Sequence, residues 1–171
     1  MKFQSHLFSI RPVTADDLPS LLTVYRQCED FLALGPQPRA SAAMIQADLA
    51  QSAAMGGVFC GIFDESGVMF GVADFVPHGY QGSPALAFIS LLMLARPYRC
   101  RDLGTAIMQA IEAEIRRDPR VTAILADVQV NNPGAARFWG RMGYWIVGGP
   151  EPQPDRTTVW LLRKELGQVS G

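Results

Sequence analysis

Apolar positions along this chain change period several times, and each change marks an element. Phe8 to Val13 reads as a first strand. Thr14-Ala-Asp-Asp17 then reads as a helix N-cap with an acidic residue three places on, ahead of Leu18, Leu21, Leu22 and Tyr25 at helical spacing. Gly35-Pro-Gln-Pro38 breaks the chain. Ser41 caps a second helix with Ile45 and Leu49 on one side, closed by Gly56-Gly57. Three strands follow: Val58 to Phe63, Val68 to Val76 across the hairpin turn Asp64-Glu-Ser-Gly67, and Leu86 to Leu94 after a looser loop. The third is almost wholly apolar, as a strand buried on both faces must be.

Beyond YRCRDLG the period returns to that of a helix. Leu103, Ile107, Ile111 and Ile115 step by four, while Glu112, Glu114, Arg116 and Arg117 are expected on other faces and Pro119 ends the run. Val121 to Val130 is a further strand. Asn131-Asn-Pro133 starts a short helix through Arg141, with Gly143 as its C′ residue. Trp145 to Val147 and Thr157 to Leu162 form a last strand pair across the Pro-rich stretch 148–156. Consecutive hairpins imply antiparallel pairing, and the strand–helix–strand unit over 86–130 implies one parallel crossover. The expected fold is therefore mixed α/β, a mostly antiparallel central sheet of about seven strands with helices on both faces.

Composition narrows the function. A length of 171 residues suits one domain, expected over residues 1–166 with a flexible tail at 167–171. Fifteen basic against sixteen acidic residues give a net charge of -1, which argues against a dedicated nucleic-acid binder. No apolar run reaches membrane-spanning length, and MKFQSHLFSIRPVT lacks a signal-peptide pattern. Cys28, Cys60 and Cys100 show no metal-ligand or redox spacing, so no metal is expected and three scattered thiols suit a reducing cytoplasm.

Two segments carry candidate chemistry. In 98–108, YRCRDLGTAIM, a buried strand ends and a helix opens near Gly104. The first N–H groups of a helix lack internal partners and point along the positive end of its dipole. A phosphate there is held by several donors, and Arg99 and Arg101 add charge-assisted bonds. An ordinary strand-to-helix connection with two solvated arginines would show the same residues. In 131–144, NNPGAARFWGRMGY, Asn132 caps a helix and Ala136, Phe138, Trp139 and Met142 have the spacing of core residues.

Together these segments resemble the GCN5-related N-acetyltransferase family. Its acyl-CoA turn, Arg/Gln-x-x-Gly-x-Gly/Ala, matches Arg99-Cys-Arg-Asp102-Leu-Gly104, followed by Thr105-Ala-Ile-Met108; a second register, Arg101-Asp-Leu-Gly104-Thr-Ala106, fits the formula but places the later apolar residues less well. The first register puts Asp102 where a glycine is usual. Asn132-x-x-Ala135, Phe138-Trp139 and Gly143-Tyr144 look like the family's fourth-helix motif, and Ile10-Arg-Pro-Val-Thr with Asp17-Leu18 looks like its first strand and helix entry.

The resemblance implies a GNAT-like acyltransferase that moves an acetyl group from acetyl-CoA directly to a primary amine of a small molecule or protein, with homodimers common among relatives. The strand before the turn would be bulged, and its residues Leu92, Met93 and Leu94 would pair with pantetheine. Arg99, Cys100, Arg101, Asp102, Leu103, Gly104 and Thr105 would form the pyrophosphate turn, and Asn132 and Trp139 would flank the arm. Trp139 stands where many relatives have a tyrosine, and an indole cannot act as a proton acid near neutral pH. Candidates for the acid and base are Asp74, His78, Asp127 and Tyr144; Glu29, Asp30 and Phe31 fall where relatives bind the acceptor. A non-catalytic acyl-CoA-binding or regulatory module on the same fold is the competing reading. A nucleotide-phosphate enzyme fits less well, since Gly-x-x-x-x-Gly-Lys-Ser/Thr is missing.

Overall fold

A computed structural model describes residues 3–4, 7–99 and 102–167. Its strands are β1 (Phe3–Gln4), β2 (Ser9–Pro12), β3 (Val58–Phe63), β4 (Met69–Val76), β5 (Leu86–Leu94), β6 (Ala123–Gln129), β7 (Trp145–Pro152) and β8 (Thr158–Glu165). They form one sheet in the order β1-β2-β3-β4-β5-β6-β8-β7. The helices are α1 (Leu18–Gln27), α2 (Glu29–Leu32), α3 (Ala42–Ala54), α4 (Leu103–Ile115) and α5 (Pro133–Arg141). All neighbours are antiparallel except β5 and β6, which the α4 crossover joins in parallel. The mixed sheet agrees with the hydrophobic pattern. The strand beyond the expected seven is β1, a two-residue edge paired to Ser9 and Ile10.

Helices cover both faces. On one, Ile107, Ile111 and Ile115 of α4 and Trp139 of α5 pack with Ile10, Ile62, Ile89 and Ile124. On the other, Leu21, Val24 and Tyr25 of α1 and Ile45 of α3 pack with Phe59, Val72 and Met93. Ser41 caps α3 by accepting the Met44 N–H at 3.1 Å, as its position in the sequence implied.

Three elements differ from the pattern. The strands of the last hairpin run to Pro152 and Glu165, through most of the Pro-rich stretch. β7 is the sheet edge, so prolines on it need not cost a ladder bond. The one-turn α2 lacks the length to show periodicity. Glu112, expected on a polar face of α4, is 5% exposed. Lys164 of β8 donates to its two oxygens at 2.9 and 2.7 Å, and the Tyr144 hydroxyl adds a bond at 3.1 Å. A buried carboxylate is tolerated when it is paired this way.

The entry to α1 is held by charge. Arg11 donates to both oxygens of Asp17 at 2.7 and 2.9 Å, and the Thr14 N–H donates to Asp17 Oδ2 at 2.8 Å. The Arg11 hydrogen bond, opposed by burial and helped by the Thr14 bonds, holds the Asp17 carboxyl down at about 2. A lowered native pKa adds stability above the unfolded value, and this is lost as pH falls through the native one. Asp17→Asn is expected to destabilise the fold by about 2 kcal/mol at pH 7 and to flatten the stability loss between about pH 4 and pH 2. Urea melts at several pH values check this; parallel wild-type and variant curves would refute it.

Candidate active site

The parallel ladder between β5 and β6 starts at Leu86–Ala123 and ends at Ile89–Ala126. At that point β5 bulges: Asp74 of β4 faces Leu91 and Phe75 faces Ile89, leaving Ser90 as the extra residue. β5 then runs on to Leu94 and β6 to Gln129 without pairing to each other. The strands diverge into a wedge of about 460 Å³, with Ser90, Leu91 and Leu92 on one wall and Asp127, Val128 and Gln129 on the other. A bulge splaying the strand before the turn is the feature the resemblance implied.

Two further cavities flank the wedge. One, of about 600 Å³, lies at the start of α4 and is lined by Leu92, Met93, Leu94, Arg99, Asp102, Gly104, Thr105 and Asn132, with Arg141. It shares Leu92, Asn132 and Ala135 with the wedge. The other, of about 590 Å³, lies beside α3 and includes Tyr25, Asp48, Asp74, Ser90 and Gln129. Ser90, Leu91 and Gln129 line both it and the wedge. Phe31 of α2 lines all three cavities.

Most of the turn residues meet in the α4 cavity. Asp102 is the N-cap of α4 and adopts φ +54°, a left-handed conformation that glycine takes at no steric cost. Its side chain makes no capping bond. A Cβ on Gly104 would lie 3.4 Å from the Phe138 ring, so a larger side chain there must extend into the cavity. Leu103 packs against the core instead of lining this cavity. Cys100 and Arg101 lie outside the described residues. Arg99 is engaged: its guanidinium pairs with both oxygens of Asp30, and its Nε donates to the Leu94 carbonyl at 2.7 Å. The Arg99 hydrogen bond, against some desolvation and with Arg96 adding charge, lowers the Asp30 pKa to about 2. Asn132 caps α5 through Oδ1, which accepts the Ala135 N–H at 3.1 Å.

Relieving Asp102 gives a direct test of this turn. Asp102→Gly removes both the left-handed strain and an acidic side chain from a residue that lines the cavity. It is expected to tighten acyl-CoA binding about tenfold in a calorimetric titration. Equal or weaker affinity would show that the carboxylate turns away from the anion.

The other candidates separate. Asp74 is 5% exposed and accepts from the Ser52 and Ser90 hydroxyls at 2.5 and 2.6 Å. Gly57 permits this, because a Cβ there would lie 2.7 Å from Ser52 Oγ. Asp127 lines the wedge; desolvation, then the nearby Glu151 charge, raises its pKa although the residue stays solvent-accessible. His78 is exposed and lines none of the three cavities. Tyr144 is core: 4% exposed, bonded to Glu112 and edge-on to Trp139 at 4.8 Å, with burial pushing its pKa up. Neither His78 nor Tyr144 lines the wedge or either flanking cavity. Trp139 lines the wedge but not the α4 cavity. Glu29 braces the loop to α3, accepting from Arg39 and from the Ala40 N–H, each at 3.0 Å.

Sequence reasoning missed four residues. Tyr25 and Asp48 form a hydrogen bond of 2.6 Å inside the α3 cavity. Asp48 directly precedes inward-facing Leu49 and follows Ile45 by three, so an acid on the apolar side of a helix was the available signal. Gln129 also lines this cavity, and its Oε1 is buried without a partner. Tyr80 brings a phenol to the wedge, stacked on Phe88 at 4.3 Å, with desolvation and then Asp127 raising its pKa.

A mostly antiparallel sheet that splits between its two parallel strands, with a helix start at the split, defines an acyl-CoA N-acyltransferase architecture. The chain belongs to the Acetyltransferase (GNAT) family, whose profile matches residues 20–144. It is an acetyl-CoA-dependent N-acetyltransferase. Among solved structures it is similar to an acetyltransferase from Thermus thermophilus, at 22% identity and TM-score 0.80 over 97% of this chain and 100% of that one. An acetyltransferase from Salmonella typhimurium that modifies the N-terminal serine of ribosomal protein L7/L12 aligns at 14% identity and TM-score 0.76, covering 95% and 96%. Spermidine N-acetyltransferase from Vibrio cholerae, in complex with CoA and spermine, aligns at 10% identity and TM-score 0.72, covering 96% and 98%. No curated protein matches the chain.

Proposed function

We propose that this N-acetyltransferase binds acetyl-CoA along the α4 cavity and the wedge, and passes the acetyl group directly to a primary amine of a small molecule or protein held in the α3 cavity. The observation that carries this is the separation of β5 from β6 beyond Ile89 and Ala126, because it leaves β5 main chain free to pair with a ligand. The residues fit the donor. The α4 start lacks a side-chain cap and has glycine at position 104, so N–H groups and close approach suit the pyrophosphate. The left-handed Asp102 supports the register beginning at Arg99.

In this reading Leu92, Met93 and Leu94 hold the pantetheine amides, Asn132 flanks the arm, and Gly104 and Thr105 face the phosphates. The donor supplies an acyl carbon already activated by its thiol leaving group. Asp74 lies at the wedge end of the acceptor cavity, since Ser90, its hydrogen-bond partner, lines both spaces. It takes the proton of the incoming ammonium, which must be lost before the nitrogen can attack. Phe31 separates the acceptor from the donor.

The decisive measurement is CoA release from acetyl-CoA with a panel of primary amines, alongside calorimetry of acetyl-CoA alone. Binding with turnover supports the reading; binding without turnover across the panel favours the non-catalytic module. No helix among the described residues is long and apolar enough to cross a membrane. No group of potential metal ligands occurs among them either. We assign one domain over 1–166 and a cytoplasmic location; residues 168–171 of the expected tail lie outside the described residues. A homodimer is supported by β7, an edge strand that exposes Trp145, Ile146 and Val147 in succession.

A further inference from the structure

The α3 cavity has an unusual charge balance. Its titratable lining consists of Tyr25, Asp48, Asp74, Asp155 and Arg156. Asp155 and Arg156 are adjacent on the β7–β8 turn, where Asp155 also accepts from the Thr157 N–H and hydroxyl at 2.9 and 2.7 Å. Their charges cancel at the rim. Asp48 and Asp74 remain, and each is met only by neutral hydroxyls: Tyr25 for Asp48, Ser52 and Ser90 for Asp74. Among the described residues neither forms an ion pair.

Carboxylates taken out of water without a cation are costly, and the cost is removed when a ligand brings the counter-charge. Here the two carboxylates also feel each other: burial, then the charge of Asp74, raises the Asp48 pKa against the lowering effect of the Tyr25 bond. Gln129 makes the same demand independently. Its Oε1 is a buried acceptor with no donor, on the wall shared by this cavity and the wedge. Two carboxylates and an amide oxygen thus lack the N–H donors that ammonium groups carry, three on each.

Resting on the donor site proposed above, we infer that the acceptor is a dication: a primary amine that reacts at Asp74 and a second positive charge held by Asp48. Both line the α3 cavity, and the two ends differ in their partners: Asp74 bonds to Ser90, which also lines the wedge, whereas Asp48 bonds to Tyr25, which lines the α3 cavity alone. Once the reacting ammonium has given up its proton to Asp74, the second cation still faces Asp48. Gln129 Oε1 accepts from the reacting nitrogen. A cavity of about 590 Å³ admits a short diamine, or the end of a peptide with a basic side chain.

The test compares 1,4-diaminobutane with butylamine, and an Ala-Lys with an Ala-Ala peptide amide, in CoA-release assays. The dication of each pair is expected to show kcat/KM about tenfold higher or more; the pair with the larger rates identifies the source. In Asp48→Asn that ratio should fall toward one through a rise in KM for the dication, and Asp48→Glu should restore part of it. Tyr25→Phe, which frees Asp48 from its hydrogen bond, should raise the same KM severalfold. Equal rates for the single and double charges overturn the inference, as does a ratio unmoved in Asp48→Asn. So does failure to process any dication when acetyl-CoA binds. Should Asp48→Asn not fold, the wild-type comparison decides alone. Absence of acetyl-CoA binding to the wild-type protein would instead refute the donor site, and this inference with it.

Discussion

Gly104→Asp is expected to lower acetyl-CoA affinity by at least about 100-fold while the protein stays folded. Position 104 is in the first turn of α4, where an aspartate suits the helix dipole better than glycine does. The added Cβ meets Phe138 at 3.4 Å and Leu94 at 3.8 Å, close contacts without collision, and the carboxylate extends into the donor cavity. Two like charges about 4 Å apart repel by about 4 kcal/mol at an effective dielectric near 20. Even after salt screening this exceeds what a hundredfold loss requires. Calorimetry with acetyl-CoA and a thermal melt on the same sample separate lost binding from lost fold. Unchanged affinity in a folded variant would place the phosphates elsewhere.

The second large effect belongs to Asp74. Asp74→Asn is expected to cut kcat by about 100-fold or more, the usual range for removing a general base, and to leave acetyl-CoA affinity within about twofold. Asparagine keeps one acceptor oxygen for the Ser52 and Ser90 hydroxyls, and a hydroxyl can turn to accept from its amide group. The substitution therefore removes a proton acceptor without emptying the space. A kcat within a fewfold of wild type would pass the role to Asp127, a carboxylate that lines the wedge itself. Parallel loss of donor binding would show instead that Asp74 holds the β4–β5 bulge in shape.

Much of the scaffold was legible before any coordinates. The four-residue steps of α4, the Ser41 cap, the Asp64–Gly67 hairpin and the almost wholly apolar β5 are local signals, and each appears where expected. The turn at Arg99–Thr105 was legible as a motif because a helix start exposes its N–H groups whatever surrounds it. What failed was sidedness. Glu112 was expected in solvent, and Lys164, fifty-two residues later, takes it into the core. Tyr144 and His78 were plausible by residue type, yet one is locked into that same buried group and the other lies outside the three cavities.

By itself the sequence determined the main order of elements, the mixed sheet, the family resemblance and the place of the turn that opens α4. All of these depend on residues close together in the chain. Tertiary structure alone decided which side chains line the α3 cavity. Tyr25, Asp48, Asp74 and Gln129 come from α1, α3, β4 and β6 and meet in one cavity through the packing of those elements. It also showed Arg99 tied to Asp30 and Asp102 in a left-handed turn. The physical reason is range: helix starts and hairpins are set by neighbours a few residues apart, whereas burial and uncompensated charge are properties of every element packed around a site.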